Sequence, residues 1–121
     1  MKRKIALIVS LMAFTAFAYV DRNPADVHVK IKNKEHNHNE WNIPADMPDV
    51  YYDYVSGTIT IVDYVNATYY VNIIDDWNTV VLTDIKVGGG TIDVSSLSTG
   101  DYVIDITTSW NNQYEGEFTV P

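Results

Sequence analysis

At 121 residues the chain has room for one domain and one core. It carries 16 acidic against 8 basic residues and no cysteine, which excludes disulfides, thiol catalysis, cysteine zinc sites and a lipid-modified cysteine. The acidic balance also repels phosphate backbones and anionic headgroups, so nucleic acid is not expected as a partner.

The chain opens on Lys2, Arg3 and Lys4, followed by an almost unbroken apolar run from Ile5 to Phe17. Thr15-Ala16-Phe17-Ala18 then places small residues where a signal peptidase reads them. The run falls short of the roughly 20 apolar residues that span a bilayer. Residues 1–18 therefore read as a cleaved export signal, residues 19–25 as a flexible mature N-terminus and residues 26–121 as the folded domain. A periplasmic or extracellular location is expected, with no membrane insertion after cleavage. Cleavage leaves 5 basic residues against 16 acidic, a net charge of −11. A cysteine-free exported domain must rely on its core, and the tyrosine, valine and isoleucine content suits a pleated one.

Residues 26–33, DVHVKIKN, alternate as one half-buried strand, with Val27, Val29 and Ile31 inward and its lysines suited to a sheet edge. Residues 34–40, KEHNHNE, are wholly polar and read as a loop. Residues 41–48, WNIPADMP, hold two prolines and cannot form a central strand, so they run along an edge or cross between sheets. DVYYDYV (49–55) and TITIVDY (58–64) flank Ser56-Gly57, the turn of a tight hairpin. Asn66-Ala67 turns into TYYVNII (68–74), and the polar tip Asp75-Asp76-Trp77-Asn78 leads into TVVLTDIKV (79–87). Gly88-Gly89-Gly90 ends that strand. Ile92 and Val94 mark a short strand, with Leu97 under the SSLSTG turn. Two further strands follow, with Tyr102, Ile104, Ile106, Tyr114, Phe118 and Val120 inward. Tyr52, Tyr54 and Tyr69 also fit core positions. No segment shows helical spacing. About seven or eight short strands with regular turns point to an all-β, antiparallel sandwich of the immunoglobulin-like kind.

The order of the paired Tyr/Val strand, SG turn, TITI strand, YYVNII-DDWN turn, VVL strand, IDVSSLSTGDYVIDI and YEGEFTV resembles a family of small exported Bacteroidetes proteins of unknown function. The likeness runs over roughly Asp26 to Val120 and implies an immunoglobulin-like β-sandwich, with no catalytic residues to carry over. IDVSSLSTGDYVIDI with YEGEFTV is also similar to the C-terminal sorting domain of the type IX secretion pathway, through its L-x-x-G-x-Y turn and final G-x-F strand. Sorting domains follow a large cargo and often end in basic residues, whereas here the last strand runs to Val120-Pro121. The free-standing module is therefore the favoured reading.

Several constellations are candidates for chemistry. His36 and His38, two apart in an extended segment beside Glu35 and Glu40, can present both imidazoles to one divalent ion, with Glu40 or His28 as a further ligand. The alternative is a solvated loop. Asp75, Asp76, Asn78 and Asp84 offer oxygen ligands for calcium, but without the alternating loop and distal glutamate of a calcium hand. Glu115/Glu117 and Asp101/Asp105 each share a strand face, with nothing to build a cleft around them. Trp77 and Trp110 sit in expected hairpin tips, beside Asp75, Asp76 and Asn78 for the first. A flat indole next to carboxylate and amide groups is the chemistry of sugar stacking, unless the indole folds back to cap the core.

The expected function is an exported, non-catalytic binding or adhesion-type module that recognises a glycan or a partner protein through loop tips or a sheet edge, without a cofactor. A structural or sorting domain is the alternative, and a glycan-processing accessory enzyme the remote one. The signal reading is tested by intact-mass measurement of the exported protein. It should begin at Tyr19, and a mass that retains Lys2 to Ala18 would refute cleavage.

Overall fold

The computed structural model describes residues 26–34 and 44–121. The export signal expected over 1–18, the 19–25 segment and the His36/His38 pair lie outside these residues.

Among the described residues the alternating segments form nine strands: β1 (Asp26–Val29), β2 (Ile31–Asn33), β3 (Asp49–Asp53), β4 (Thr58–Val62), β5 (Thr68–Ile74), β6 (Val80–Val87), β7 (Gly90–Asp93), β8 (Gly100–Thr108) and β9 (Gln113–Val120). They pair antiparallel into two sheets, ordered β1-β3-β4-β7 and β2-β9-β8-β5-β6. Side chains two apart on each strand share a face, so Val50, Tyr52, Ile59 and Ile61 of one sheet meet Tyr69, Val71, Ile104 and Ile106 of the other in one buried core. The ring of Phe118 lies 5.0 Å from that of Tyr52 and 5.6 Å from that of Tyr102, joining the two layers through aromatic contacts.

Three local expectations are corrected. Residues 26–33 are two strands, because the chain changes sheets at Lys30: β1 pairs with β3, and β2 with β9. Val27 is left exposed at the rim, while Val29 stays in the core. The change is possible because Gly116 lies underneath. A Cβ on that glycine would stand 2.8 Å from both the Lys30 carbonyl oxygen and Ile31 Cγ2. Second, the β3–β4 connection is four residues long. The Asp53 carboxylate accepts the N–H groups of Val55 and Ser56 and ends β3 early, so Tyr54 turns outward instead of joining the core. Third, Asn66-Ala67 belongs to a crossing between sheets, since β4 and β5 lie in different layers.

Each crossing must bury polar backbone or pin it, and tyrosine hydroxyls supply much of the pinning. The Pro44–Pro48 crossing into β3 holds Asp46, which is fully buried. Its carboxylate accepts the Tyr114 hydroxyl at 2.6 Å, the Asn112 amide at 3.1 Å and the Thr108 hydroxyl. At the β4–β5 crossing the Asp63 carboxylate accepts the Tyr69 hydroxyl at 2.5 Å and the Val65 and Ala67 N–H groups. Between β7 and β8 the Tyr102 hydroxyl donates to the Ser98 carbonyl at 2.6 Å, a bond back to the chain four residues upstream. That is the tyrosine corner of immunoglobulin-like sandwiches.

These contacts shift the groups that make them. Burial, then the hydrogen bond to Asp46 and its charge, push the Tyr114 hydroxyl far above the ordinary phenol value. Burial and the bond to Asp63 do the same for Tyr69. For Asp63, burial works to raise the carboxyl, but the bonds from Tyr69 and the Val65, Ala67 and Asn66 amides outweigh it and hold it below the usual carboxylate value.

Two stability measurements follow from this frame. Gly116→Ala should lower the urea unfolding free energy by about 1–3 kcal/mol, as an overpacked core position does. Asp46→Ala, which strands the buried Thr108 and Tyr114 hydroxyls and the part-buried Asn112 amide, should cost about 3 kcal/mol or more. A cost below about 0.5 kcal/mol for either would contradict the packing described. Stability should also depend on pH. Tyr69 and Tyr114 keep their protons in the folded state past the value near 10 at which they ionise when unfolded, so their contribution is full below about pH 10 and lost as pH rises beyond it. Asp63 acts oppositely: its contribution is full above about pH 4 and lost as pH falls through its lowered value. Denaturation midpoints measured across the range should fall at both ends, and an alkaline limb without a fall would exclude the tyrosine contribution.

Candidate functional site

The tip between β5 and β6 is built before it is exposed. Asp75 Oδ1 accepts the N–H groups of Trp77 and Thr79, each at 2.9 Å. The Asp75 N–H donates to the Thr79 carbonyl at 3.0 Å and the Asn78 N–H to the Asp75 carbonyl at 3.0 Å. Asn78 takes a φ of 63°, a conformation asparagine tolerates better than most residues. Asp75 is thus spent on shaping the turn. Trp77 projects from it with 85% of its surface exposed, beside the exposed Asp76 and Asn78.

Below this tip lies an open depression of about 470 Å³, lined by Asp75, Asp76, Asp101 and Glu117 together with Tyr102 and Phe118. Asp101 is engaged by the Thr119 hydroxyl at 2.7 Å. Asp84, read as a fourth calcium ligand, is not at the tip. It pairs with Val71 in mid-strand, on the core-side face, 3.4 Å from Lys86. Among the described residues no group of three or more His, Asp or Glu is arranged to hold a metal ion. The remaining carboxylates are distributed over an open sheet face. Asp105 stands beside Glu115 and is held by Lys34 at 3.4 Å, and Glu115 lies 3.9 Å from Lys32.

Trp110 occupies a different place. The register sets Ile74 beside Val103 and Tyr69 beside Thr108, so β5 ends at one end of the sheet and β8 at the other. Trp77 and Trp110 therefore sit at opposite ends and cannot share a ligand site. Trp110 is half-exposed, with its N–H on the Thr108 hydroxyl at 3.2 Å, over the Asp46 network. Asn111, with a φ of 68°, closes this turn.

The most extended feature was not singled out in the sequence. Of the large apolar side chains left exposed, Tyr70, Trp77, Val80, Val81, Ile85 and Val87 all lie on the β5–β6 hairpin. Tyr70 faces Ile85 across the two strands. The signal was present: β5 and β6 carry apolar residues at both odd and even positions, which a strand with one solvated face does not need. Such a concentration of exposed apolar surface on one element is unusual for a solvated sheet face.

Comparison with known proteins places the architecture. No protein-family model matches the sequence, and no curated protein matches it either. A crystal structure described as a DUF3244 family protein with an immunoglobulin-like β-sandwich fold, from Bacteroides vulgatus, aligns with a TM-score of 0.59 at 18% identity. The alignment covers 78% of this chain and 97% of that one. The likeness agrees with a Bacteroidetes immunoglobulin-like sandwich of unknown function and lends nothing to the sorting-domain resemblance. The tyrosine of the L-x-x-G-x-Y pattern behind the latter makes the tyrosine corner of this fold. At that identity the alignment establishes the fold, and the chain carries an immunoglobulin-like β-sandwich.

Proposed function

We propose that the protein is an exported, non-catalytic binding module of the small Bacteroidetes immunoglobulin-like kind, and that it meets its ligand through the β5–β6 hairpin with Trp77 as the leading contact. The observation that carries this is the 85% exposure of Trp77 on a turn braced by four hydrogen bonds. A large aromatic ring held on a rigid support loses little entropy when it docks, which is why such residues dominate binding energies.

The surroundings of the indole suit a sugar ring. Asp76 and Asn78 flank it, and the depression lined by Asp101 and Glu117 lies beneath, so hydroxyl groups of a stacked pyranose would meet acceptors close to the ring. A partner protein is the second reading, favoured by the exposed apolar side chains of Tyr70, Ile85 and Val87 farther along the same hairpin. Assembly or sorting remains the alternative of a different class. A glycan-processing accessory role remains the remote one. Asp46 and Asp63, the carboxylates bonded to core tyrosines, are already engaged by hydroxyl and amide donors and support the fold rather than a reaction.

A glycan array and a pull-down with the mature domain separate the two ligand classes. Trp77→Ala should abolish the signal in whichever assay is positive, while unfolding free energy changes by no more than about 0.5 kcal/mol, as at an exposed site. Trp110→Ala, at the opposite end, should leave the signal intact. Binding that survives Trp77→Ala but fails with Trp110→Ala would move the site to the other end of the sandwich.

A further inference from the structure

Among the described residues the sandwich has one long sheet edge. β1, β2 and β7 close their edges with four, three and four residues, whereas β6 presents eight. Which backbone groups face outward from β6 follows from the ladder. The Gly88 N–H donates to the Ala67 carbonyl at 2.9 Å, so these two form a hydrogen-bonded pair. Such pairs alternate along an antiparallel ladder. Following the register back, Lys86, Asp84 and Leu82 bond to β5, and Val87, Ile85 and Thr83 turn their N–H and C=O groups away from it.

A second β6 laid antiparallel against this edge has few ways to join those outward residues, and charge separates them. Centred on Asp84, the two carboxylates face each other; centred on Lys86, the two ammonium groups do. Centred on Thr83, each Asp84 meets an apolar leucine. Centred on Ile85, Asp84 stands opposite the partner's Lys86 and Lys86 opposite the partner's Asp84. Like charges directly opposite destabilise a strand pair and unlike charges support it. The same register faces Ile85 with the partner's Ile85 and Thr83 with the partner's Val87. All three outward residues of each copy then enter hydrogen-bonded pairs, giving about six main-chain bonds.

We propose that β6 is a self-complementary edge, which pairs antiparallel with β6 of a second copy of this chain about a two-fold axis at Ile85. In the single chain, Asp84 Oδ1 accepts the Ile85 N–H at 2.8 Å, and Asp84 Oδ2 lies 3.4 Å from Lys86 Nζ. Pairing exchanges both contacts in kind: the Ile85 N–H passes to the carbonyl of the partner's Ile85, and Asp84 to the partner's Lys86. The exposed Tyr70, Ile85 and Val87 of the two copies then form one apolar face across the joint. The acidic residues Asp105, Glu115 and Glu117 lie on β8 and β9, beyond β5 from the edge. At about 4.8 Å per strand that is more than a Debye length at physiological salt, so they oppose the joint weakly. Trp77 lies outside the paired stretch, and the proposal does not depend on what Trp77 binds.

The joint is short, so sedimentation of the wild-type mature protein from about 10 μM to about 1 mM should show a reversible monomer–dimer equilibrium. Because the chain has no cysteine, a single introduced thiol reports position. Paired Ile85 Cα atoms would lie about 5.5 Å apart, within disulfide reach. Ile85→Cys should therefore oxidise to a covalent dimer. Thr83→Cys alone should not, and a mixture of Thr83→Cys with Val87→Cys should give the mixed dimer. Lys86→Glu should raise the dimer dissociation constant about tenfold, and the double exchange Asp84→Lys with Lys86→Asp should restore it. A monomer at every concentration, equal cross-linking at 83 and 85, or no restoration by the double exchange would each overturn the proposal. Trp77→Ala should leave the dimer unchanged, so loss of ligand binding and loss of pairing are read separately.

Discussion

The fold depends on one buried carboxylate being satisfied. Asp46 has no access to solvent, and a carboxyl group in such a place is tolerable only with its hydrogen bonds made. Those donors come from far along the chain: Thr108 and Asn112 at the turn between β8 and β9, and Tyr114 at the start of β9. Bonding all three brings the Pro44–Pro48 crossing against the β8–β9 turn and ties it to the last hairpin. Thr108 carries the constraint further, because its hydroxyl also accepts the N–H groups of Trp110 and Asn112. A single acidic residue between two prolines thereby sets the shape of a turn more than sixty residues away.

The same logic recurs at two other crossings with different partners. Tyr69 bonds Asp63 and Tyr102 bonds the Ser98 carbonyl, so a hydroxyl at the end of a core ring ties each of these two crossings to the sheet it enters. Tyrosine suits this task because its ring belongs to the core and its oxygen reaches the rim. A cysteine-free domain of this size has no covalent staple to hold its ends. Here the ends are held by hydroxyl–carboxylate and hydroxyl–carbonyl bonds, and the raised ionisation of Tyr69 and Tyr114 is the electrostatic signature of that arrangement.

Strand alternation made the sandwich legible from sequence: TITIV, TYYVNII and GDYVIDITT each bury every second residue as the pattern requires. The pattern was silent about long-range choices. Nothing in DVHVKIKN announces that the chain leaves one sheet at Lys30 and joins another, because the cause is Gly116, more than eighty residues later. Tyr54 continued the alternation of β3 and still turned outward, since the Asp53 carboxylate ended the strand first. Asp46 looked like one polar residue of a proline-rich loop, and its burial depends on partners that no local window contains. At the candidate site, the exposure of Trp77 could be anticipated from its hairpin tip. The separation of Trp77 from Trp110 could not, because it follows from the β5–β8 register.

The distribution of constraint also locates the part of the molecule left free for contact. The Thr108–Asn112 end is occupied by the Asp46 network, and β1 and β2 are tied across both sheets over Gly116. β7 is four residues long and runs into a turn whose Val94 N–H bonds the Gly57 carbonyl. Among the described residues, only the β5–β6 hairpin combines an edge without a partner strand, an apolar outer face and an aromatic tip. Its inner face still carries Asp84 and Lys86, charges that a strand buried on both sides would not accept. Inward charge on an edge strand is a device against indiscriminate pairing. With opposite signs two residues apart, the same device admits one register and rejects its neighbours, so the hairpin is selective where a wholly apolar edge would be merely adhesive.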